Sequence, residues 1–154
     1  MRKTKATSGE SLTLLPLAES DLPELSQHLG AKVEELRPML RASLMKVHEG
    51  RYYEKFAIRA GGVLVGYASL YNHETGGISE GIEVFQPFRR RGYACWAIGE
   101  LGKMARDQGY DILKAQVRIG NTASLALHEK LGFCRMRQYV NRRGNEVFDL
   151  QKIL

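Results

Sequence analysis

The sequence of 154 residues predicts a single α+β domain whose central sheet is mixed, mostly antiparallel and flanked by helices. Three observations predict it: two amphipathic stripes near the start, three consecutive β-like runs separated by glycine turns, and a strand–helix–strand crossover after them. A chain of this length buries roughly two thirds of its unfolded surface as one domain and is too short for two ordinary ones.

Each element has a local reason. Residues 1–11 place Arg2, Lys3 and Lys5 among small polar residues without apolar periodicity, which reads as a disordered terminus outside a domain spanning 12–154. A strand over 12–16 leads to Ser20-Asp21-Leu22-Pro23-Glu24, where cap acceptors and an early proline start a helix that Gly30 stops. A second helix, about 32–48, aligns Val33, Leu36, Leu40, Leu44 and Val47 and ends before Gly50. The period then changes. Runs at 56–59, 63–71 and 78–85, divided by Gly61-Gly62 and Thr75-Gly76-Gly77, read as an antiparallel meander. A helix over 93–108 spaces Ala94, Ala97, Ile98, Leu101, Met104 and Ala105 along one face and stops at Gly109. The strand at 112–119 completes a right-handed β-α-β unit with parallel pairing. A last hairpin, 135–142 with 146–153, turns at Gly144-Asn145.

A net charge of +6 and a pI near 9.4 suit an anionic ligand, nucleic acid or an anionic membrane equally. No recognition-helix, zinc or RNA-binding signature occurs, and Arg142-Arg143 beside a hairpin turn reads as a solvated pair, so no nucleic-acid partner is expected. The apolar run 12–17 is short, holds Thr13 and Pro16, and lies between Glu10 and Glu19, which excludes it as a signal peptide or membrane span. Cys95 and Cys134 have no metal-ligand spacing, so a reduced, cytoplasmic protein without metal is expected. His28, His48 and His73 lie in no motif and read as surface residues.

The most informative stretch is Val84-Phe85-Gln86-Pro87-Phe88-Arg89-Arg90-Arg91-Gly92-Tyr93-Ala94. A strand that feeds a helix start through a cationic, glycine-containing turn directs free backbone N–H groups at a phosphate, and the ligand read here is a pyrophosphate. Three arginines before a helix also fit a solvated charge run. A second motif follows at Ile119-Gly120-Asn121-Thr122-Ala123-Ser124-Leu125-Ala126-Leu127-His128-Glu129-Lys130-Leu131-Gly132-Phe133. In this order and at this distance, the two motifs resemble those of the GNAT superfamily of acetyl-CoA-dependent N-acetyltransferases.

The resemblance runs from about residue 12 to the C-terminus and implies a V-shaped opening between two splayed strands, with acetyl-CoA as co-substrate. It implies that Ile82, Glu83 and Val84 pair with the pantetheine arm. It further implies that Arg89, Arg90, Arg91, Gly92, Tyr93, Ala94 and Cys95 cradle the pyrophosphate, and that Asn121 bonds the cofactor or caps the helix after it. Glu80, or Glu83 if a bulge changes which side chain faces inward, matches a base; either also reads as a polar position on a half-buried strand. His128 stands where many members carry a tyrosine acid, and it also reads as a polar residue on a short helix facing water. The subgroup that acetylates ribosomal-protein N-termini has a glutamate where this chain has Gln116, so that mechanism does not transfer as it stands. The implied activity is direct acetyl transfer to a small-molecule amine or an exposed protein amine, by a monomer or homodimer. The alternative is an acyl-CoA-binding sensor that has lost the chemistry.

Overall fold

In the computed structural model residues 2–5 and 11–154 are described. The expected disordered terminus therefore falls mostly outside the description; of it, Arg2–Lys5 is a strand, β1, paired antiparallel with β2 (Ser11–Pro16). Helices α1 (Leu22–Leu29) and α2 (Val33–Met45) follow, then β3 (Val47–His48), β4 (Arg51–Ala60), β5 (Val63–Asn72) and β6 (Ile78–Val84). Helix α3 (Tyr93–Asp107), β7 (Ile112–Arg118), α4 (Thr122–Lys130), β8 (Cys134–Val140) and β9 (Glu146–Ile153) complete the chain. Among the described residues nine strands form one sheet in the order β1-β2-β4-β5-β6-β7-β9-β8, with β3 beside β4.

Two boundaries differ from the sequence reading. Helix α2 stops at Met45 because Lys46 turns left-handed at φ 57°, which converts the tail of the stripe into β3. Strand β4 begins at Arg51, well before residue 56; the charged Glu54 and Lys55 interrupt the apolar run from which the sequence reading starts it.

The β4 and β5 strands separate two cores. Phe56, Ile58, Val65, Ala68 and Leu70 join Ile78 and the α3 residues Ala97, Ile98 and Leu101 on one face. Ala57 and Leu64 point the other way and pack with Leu22 and Leu25 of α1 and Leu36 and Leu40 of α2. Each fully buried leucine or isoleucine contributes about 1.5–3 kcal/mol of transfer free energy, so both faces hold this pair of strands in place. Val65 is an extra residue at a register shift in the β4–β5 pairing, where Ile58 opposes Gly66 and Arg59 opposes Leu64.

Beside that shift β5 comes very close to β6. A Cβ built on Gly66 would stand 2.2 Å from the Glu83 carbonyl oxygen, a backbone atom with no rotamer to give way. Gly66→Ala is therefore expected to lower stability by about 1–3 kcal/mol, the range for overpacking, read as a melting temperature roughly 3–10 °C below wild type. An unchanged melting temperature would show that β6 tolerates displacement.

Candidate active site

The site begins where β6 and β7 part. They pair in parallel only at Ile78–Leu113, Ser79–Lys114 and Glu80–Ala115, and beyond Glu80 the β6 edge has no strand beside it. The direction of its groups follows from one bond. Phe85 N–H donates to the Val65 carbonyl of β5 at 2.9 Å, so across a trans peptide the Val84 carbonyl points to the open edge. By the two-residue period, Ile82 N–H and C=O and Val84 N–H point there too, whereas the main chain of Glu83 faces β5. This corrects the expectation for Glu83, which cannot offer its backbone to a ligand in the opening. The Val84 carbonyl accepts from Arg89 Nε at 2.9 Å, which closes the free edge at Val84.

Next to that end lies the start of α3. Gly92 is its N-cap at φ +84°, and neither a side-chain cap nor an acidic residue occupies the first turn. A Cβ on Gly92 would meet nothing within 4 Å, so the space before the helix is open. Arg90 adopts φ 64°, and Arg89, Arg90 and Arg91 are all exposed. Successive left-handed and helical residues aim N–H groups into one concavity, and the macrodipole adds positive potential. Opposite, a cavity of about 620 Å³ is lined by Arg118, Gly120, Asn121, Gly144 and Glu146. Asn121 Oδ1 accepts the Ser124 N–H at 3.1 Å, the capping role, which leaves its side-chain amide N–H groups for a ligand.

Glu80 and His128 do not stand apart as base and acid. They bond to each other: His128 Nε2 lies 2.5 Å from Glu80 Oε1, with the two residues 2% and 4% exposed. His128 Nδ1 lies 2.7 Å from the Ser124 carbonyl oxygen, so that nitrogen must carry a proton. Burial pushes the imidazole down, but the Glu80 carboxylate and Ser124 carbonyl outweigh it and hold the proton above the ordinary histidine value. Both nitrogens are engaged, and the pair sits under α4 on the core face of the sheet. The expected roles, a Glu80 base facing the opening and a His128 donor to a leaving sulfur, are thus corrected to a buried ion pair tying β6 to α4. The reading of His128 as a residue facing water is corrected with them.

The other face of the opening carries different groups. The Glu83 side chain lies there and meets Arg89 Nη2 at 3.2 Å. Tyr53, Lys55, Tyr67, Ser69 and Gly81 share that face by strand parity. Gln116, on the same face of β7, donates to Tyr139 Oη at 2.7 Å and accepts from Asn141 at 2.6 Å. His73, read as a surface residue, is 7% exposed and bonds Thr75; burial and nearby Lys114 push its imidazole down. His28, exposed as expected, stacks on Phe85 at 4.0 Å.

The acetyltransferase (GNAT) family model matches residues 15–133, most of the chain and both motifs. The chain belongs to this family. GNAT acetyltransferases use acetyl-CoA as co-substrate. Among solved structures, a ribosomal-protein-alanine N-acetyltransferase from Brucella melitensis is similar at 23% identity and TM-score 0.74, over 92% of this chain and 99% of that one. A putative acetyltransferase from Salmonella typhimurium with its cofactor acetyl-CoA matches at 18% identity and TM-score 0.74, over 93% and 94%. A spermidine N-acetyltransferase chimera from Vibrio cholerae and hSSAT matches at 18% identity and TM-score 0.74, over 92% and 94%. No curated protein matches by sequence. Among the described residues no helix is long and apolar enough to cross a membrane, and no group of three or more His, Cys, Asp or Glu could hold a metal ion.

The open edge and the uncapped helix start fit acetyl-CoA, since both turn backbone groups toward the space that its amides and phosphates would occupy.

The Glu80–His128 pair has a pH signature. Because the folded-state value of His128 lies above an unfolded value of about 6.5, its contribution is complete below about pH 6.5 and is lost as pH rises through the raised value. Glu80→Gln keeps the shape and removes the charge, and is expected to cost about 1.5–3 kcal/mol near pH 6. The gap in melting temperature from wild type should narrow as pH rises through the raised value of His128; a gap constant with pH would mean that the bond is not ionic.

Proposed function

We propose that this chain transfers the acetyl group of acetyl-CoA to a primary amine by direct attack in a ternary complex. The observation that carries the reading is the β6 edge left open after Glu80, beside a bare helix start and exposed to a polar face that an acceptor can reach. Acetyl-CoA supplies an activated thioester, and the chain supplies its placement. Ile82 and the Val84 N–H would hold the pantetheine arm as a neighbouring strand does, with Asn121 on the opposite wall. The backbone of Gly92, Tyr93, Ala94 and Cys95 would bind the pyrophosphate, with Arg90 and Arg91 adding charge and Arg89 ordering the turn.

Removing a proton from the acceptor costs roughly 4–5 kcal/mol at neutral pH for an alkylamine near ~10.4 but only about 1 for an α-amine near ~8. Glu83 is the β6 carboxylate on the acceptor's face, and it takes that proton directly or through one water. A thiolate from a thiol near ~8.5 leaves without a dedicated acid, which agrees with the engagement of both His128 nitrogens. The acceptor is a small-molecule amine or an exposed protein amine, and the Vibrio and Brucella proteins are named for one kind each.

One observation favours a second reading, a sensor that binds acyl-CoA without turnover: neither Glu80 nor His128 reaches the opening. Thiol release from acetyl-CoA with a panel of α-amines, polyamines, aminoglycosides and amino acids decides between them. We expect release with at least one class and none without an amine. Gly92→Val should weaken acetyl-CoA binding at least ten-fold by calorimetry in folded protein, because a side chain at positive φ enters the cradle. Affinity equal to wild type would remove the cradle from this turn.

Glu83→Gln should lower kcat about ten- to a hundred-fold at neutral pH and recover as pH rises and the amine deprotonates unaided. A uniform loss at every pH, with weaker cofactor binding, would instead place Glu83 as a partner of Arg89.

A further inference from the structure

The Lys55 ammonium stands on the acceptor's face without a carboxylate. Its Nζ donates to Ser69 Oγ at 2.9 Å and lies over two aromatic rings, 4.7 Å from the centroid of Tyr67 and 5.8 Å from that of Tyr53. Among the described residues no acidic side chain comes within ion-pair distance of it, whereas Arg89 and Arg142 are each held by a glutamate. The position is built. Lys55 N–H donates to Ser43 Oγ at 2.8 Å, fixing the backbone of this residue to α2.

Register connects this ammonium to the opening. Lys55 pairs with Ser69, and Ser69 pairs with Gly81, the first β6 residue past the last contact with β7. Gly81 has no side chain, so nothing on β6 stands between the Lys55–Ser69 bond and the open edge, about one strand spacing (~4.8 Å) away. On the same face Glu83 pairs in register with Tyr67, which places a carboxylate and an ammonium on either side of one aromatic ring. That layout complements a zwitterion.

We propose that Lys55, Ser69, Tyr53 and Tyr67 form a carboxylate subsite, so that the acceptor is an amino-acid-like molecule carrying a carboxylate a few bonds from its amine. The proposal rests on the acetyl-transfer reading and names the substrate class for that site. In it, the acceptor carboxylate bonds Lys55 Nζ and the phenol O–H groups, and its ammonium lies toward Glu83. Burial and the nearby Arg143 guanidinium of the β8–β9 turn push the Lys55 ammonium down to about 8, a cost that an arriving anion relieves. Burial likewise raises both phenols, Tyr53 to about 12, which keeps them as neutral donors. Lys55 and Arg143 together disfavour a polycation such as a polyamine.

The test compares amino acids with their carboxamides by thiol release from acetyl-CoA. Wild type is expected to favour the acid at least ten-fold in kcat/KM, mainly through KM, as a charged hydrogen bond implies. In Lys55→Met the ratio should fall toward unity, and Lys55→Arg should restore part of it; Ser69→Ala gives a milder fall and serves if Lys55→Met does not fold. Equal use of acid and carboxamide by wild type would overturn the subsite, as would an equal loss for both in Lys55→Met or a preference for polyamines. Absence of thiol release with every amine would overturn the acetyl-transfer reading instead. The subsite is then scored by thermal shift, where amino acids but not carboxamides should raise the melting temperature of wild type and not of Lys55→Met.

Discussion

A β-strand presents hydrogen-bonding groups along both edges, and β6 satisfies only one of them past Glu80. The other residues of the site are arranged around that constraint. On one side β5 holds β6 in register along its whole length, with Gly66 allowing an approach that any side chain would prevent. On the other, β7 pairs for three residues and turns away toward β9 and the start of α4. Arg89 closes the far end of the edge by bonding Val84 while its guanidinium reaches Glu83, so the turn into α3 is tied to the strand before it.

The divergence of two strands needs something to hold it, and the Glu80–His128 pair sits at its apex. Glu80 is the last β6 residue in register with β7, and His128 belongs to the helix that follows β7. A charge pair with both residues almost fully buried is costly to break, because removing one partner leaves the other charge uncompensated. Its value here is geometric: it fixes α4 relative to β6 while the β-sheet bonds between the two elements are absent.

Much of the fold was legible in the sequence because its elements obey local rules. Gly30 stops α1, Gly92 opens α3 and Asn121 caps α4 where the pattern places them. The cofactor side of the site was legible too, since a strand, a turn and a helix start are contiguous in the chain. The chemistry was less so, for two physical reasons. The Glu80–His128 bond joins residues 48 apart, and no periodicity encodes which distant partner a buried carboxylate meets. Strand parity decides the rest: Glu80 and Glu83 are an odd number of positions apart, so only one reaches the acceptor's face, and the sequence does not say which. Lys55 lies just outside the strand that the sequence reading starts at 56; the β-favouring aromatics Tyr52 and Tyr53 ahead of it are the signal that extends the strand over it.

An unpaired strand edge ordinarily invites another polypeptide to add to the sheet. The edge beyond Glu80 is protected by its own shape. It lies inside the sheet rather than at its rim, narrows to normal strand spacing at the apex, and has Ile82 and Val84 packed into the core on one of its sides. An incoming peptide carries substituents above and below the sheet at successive residues, and half of them would collide with that packed layer. The β-alanine and cysteamine units of a pantetheine arm, unbranched between their amides, meet no such obstacle. The wedge therefore selects by cross-section, admitting a strand-like guest while denying the chain a route to self-association through the same hydrogen bonds.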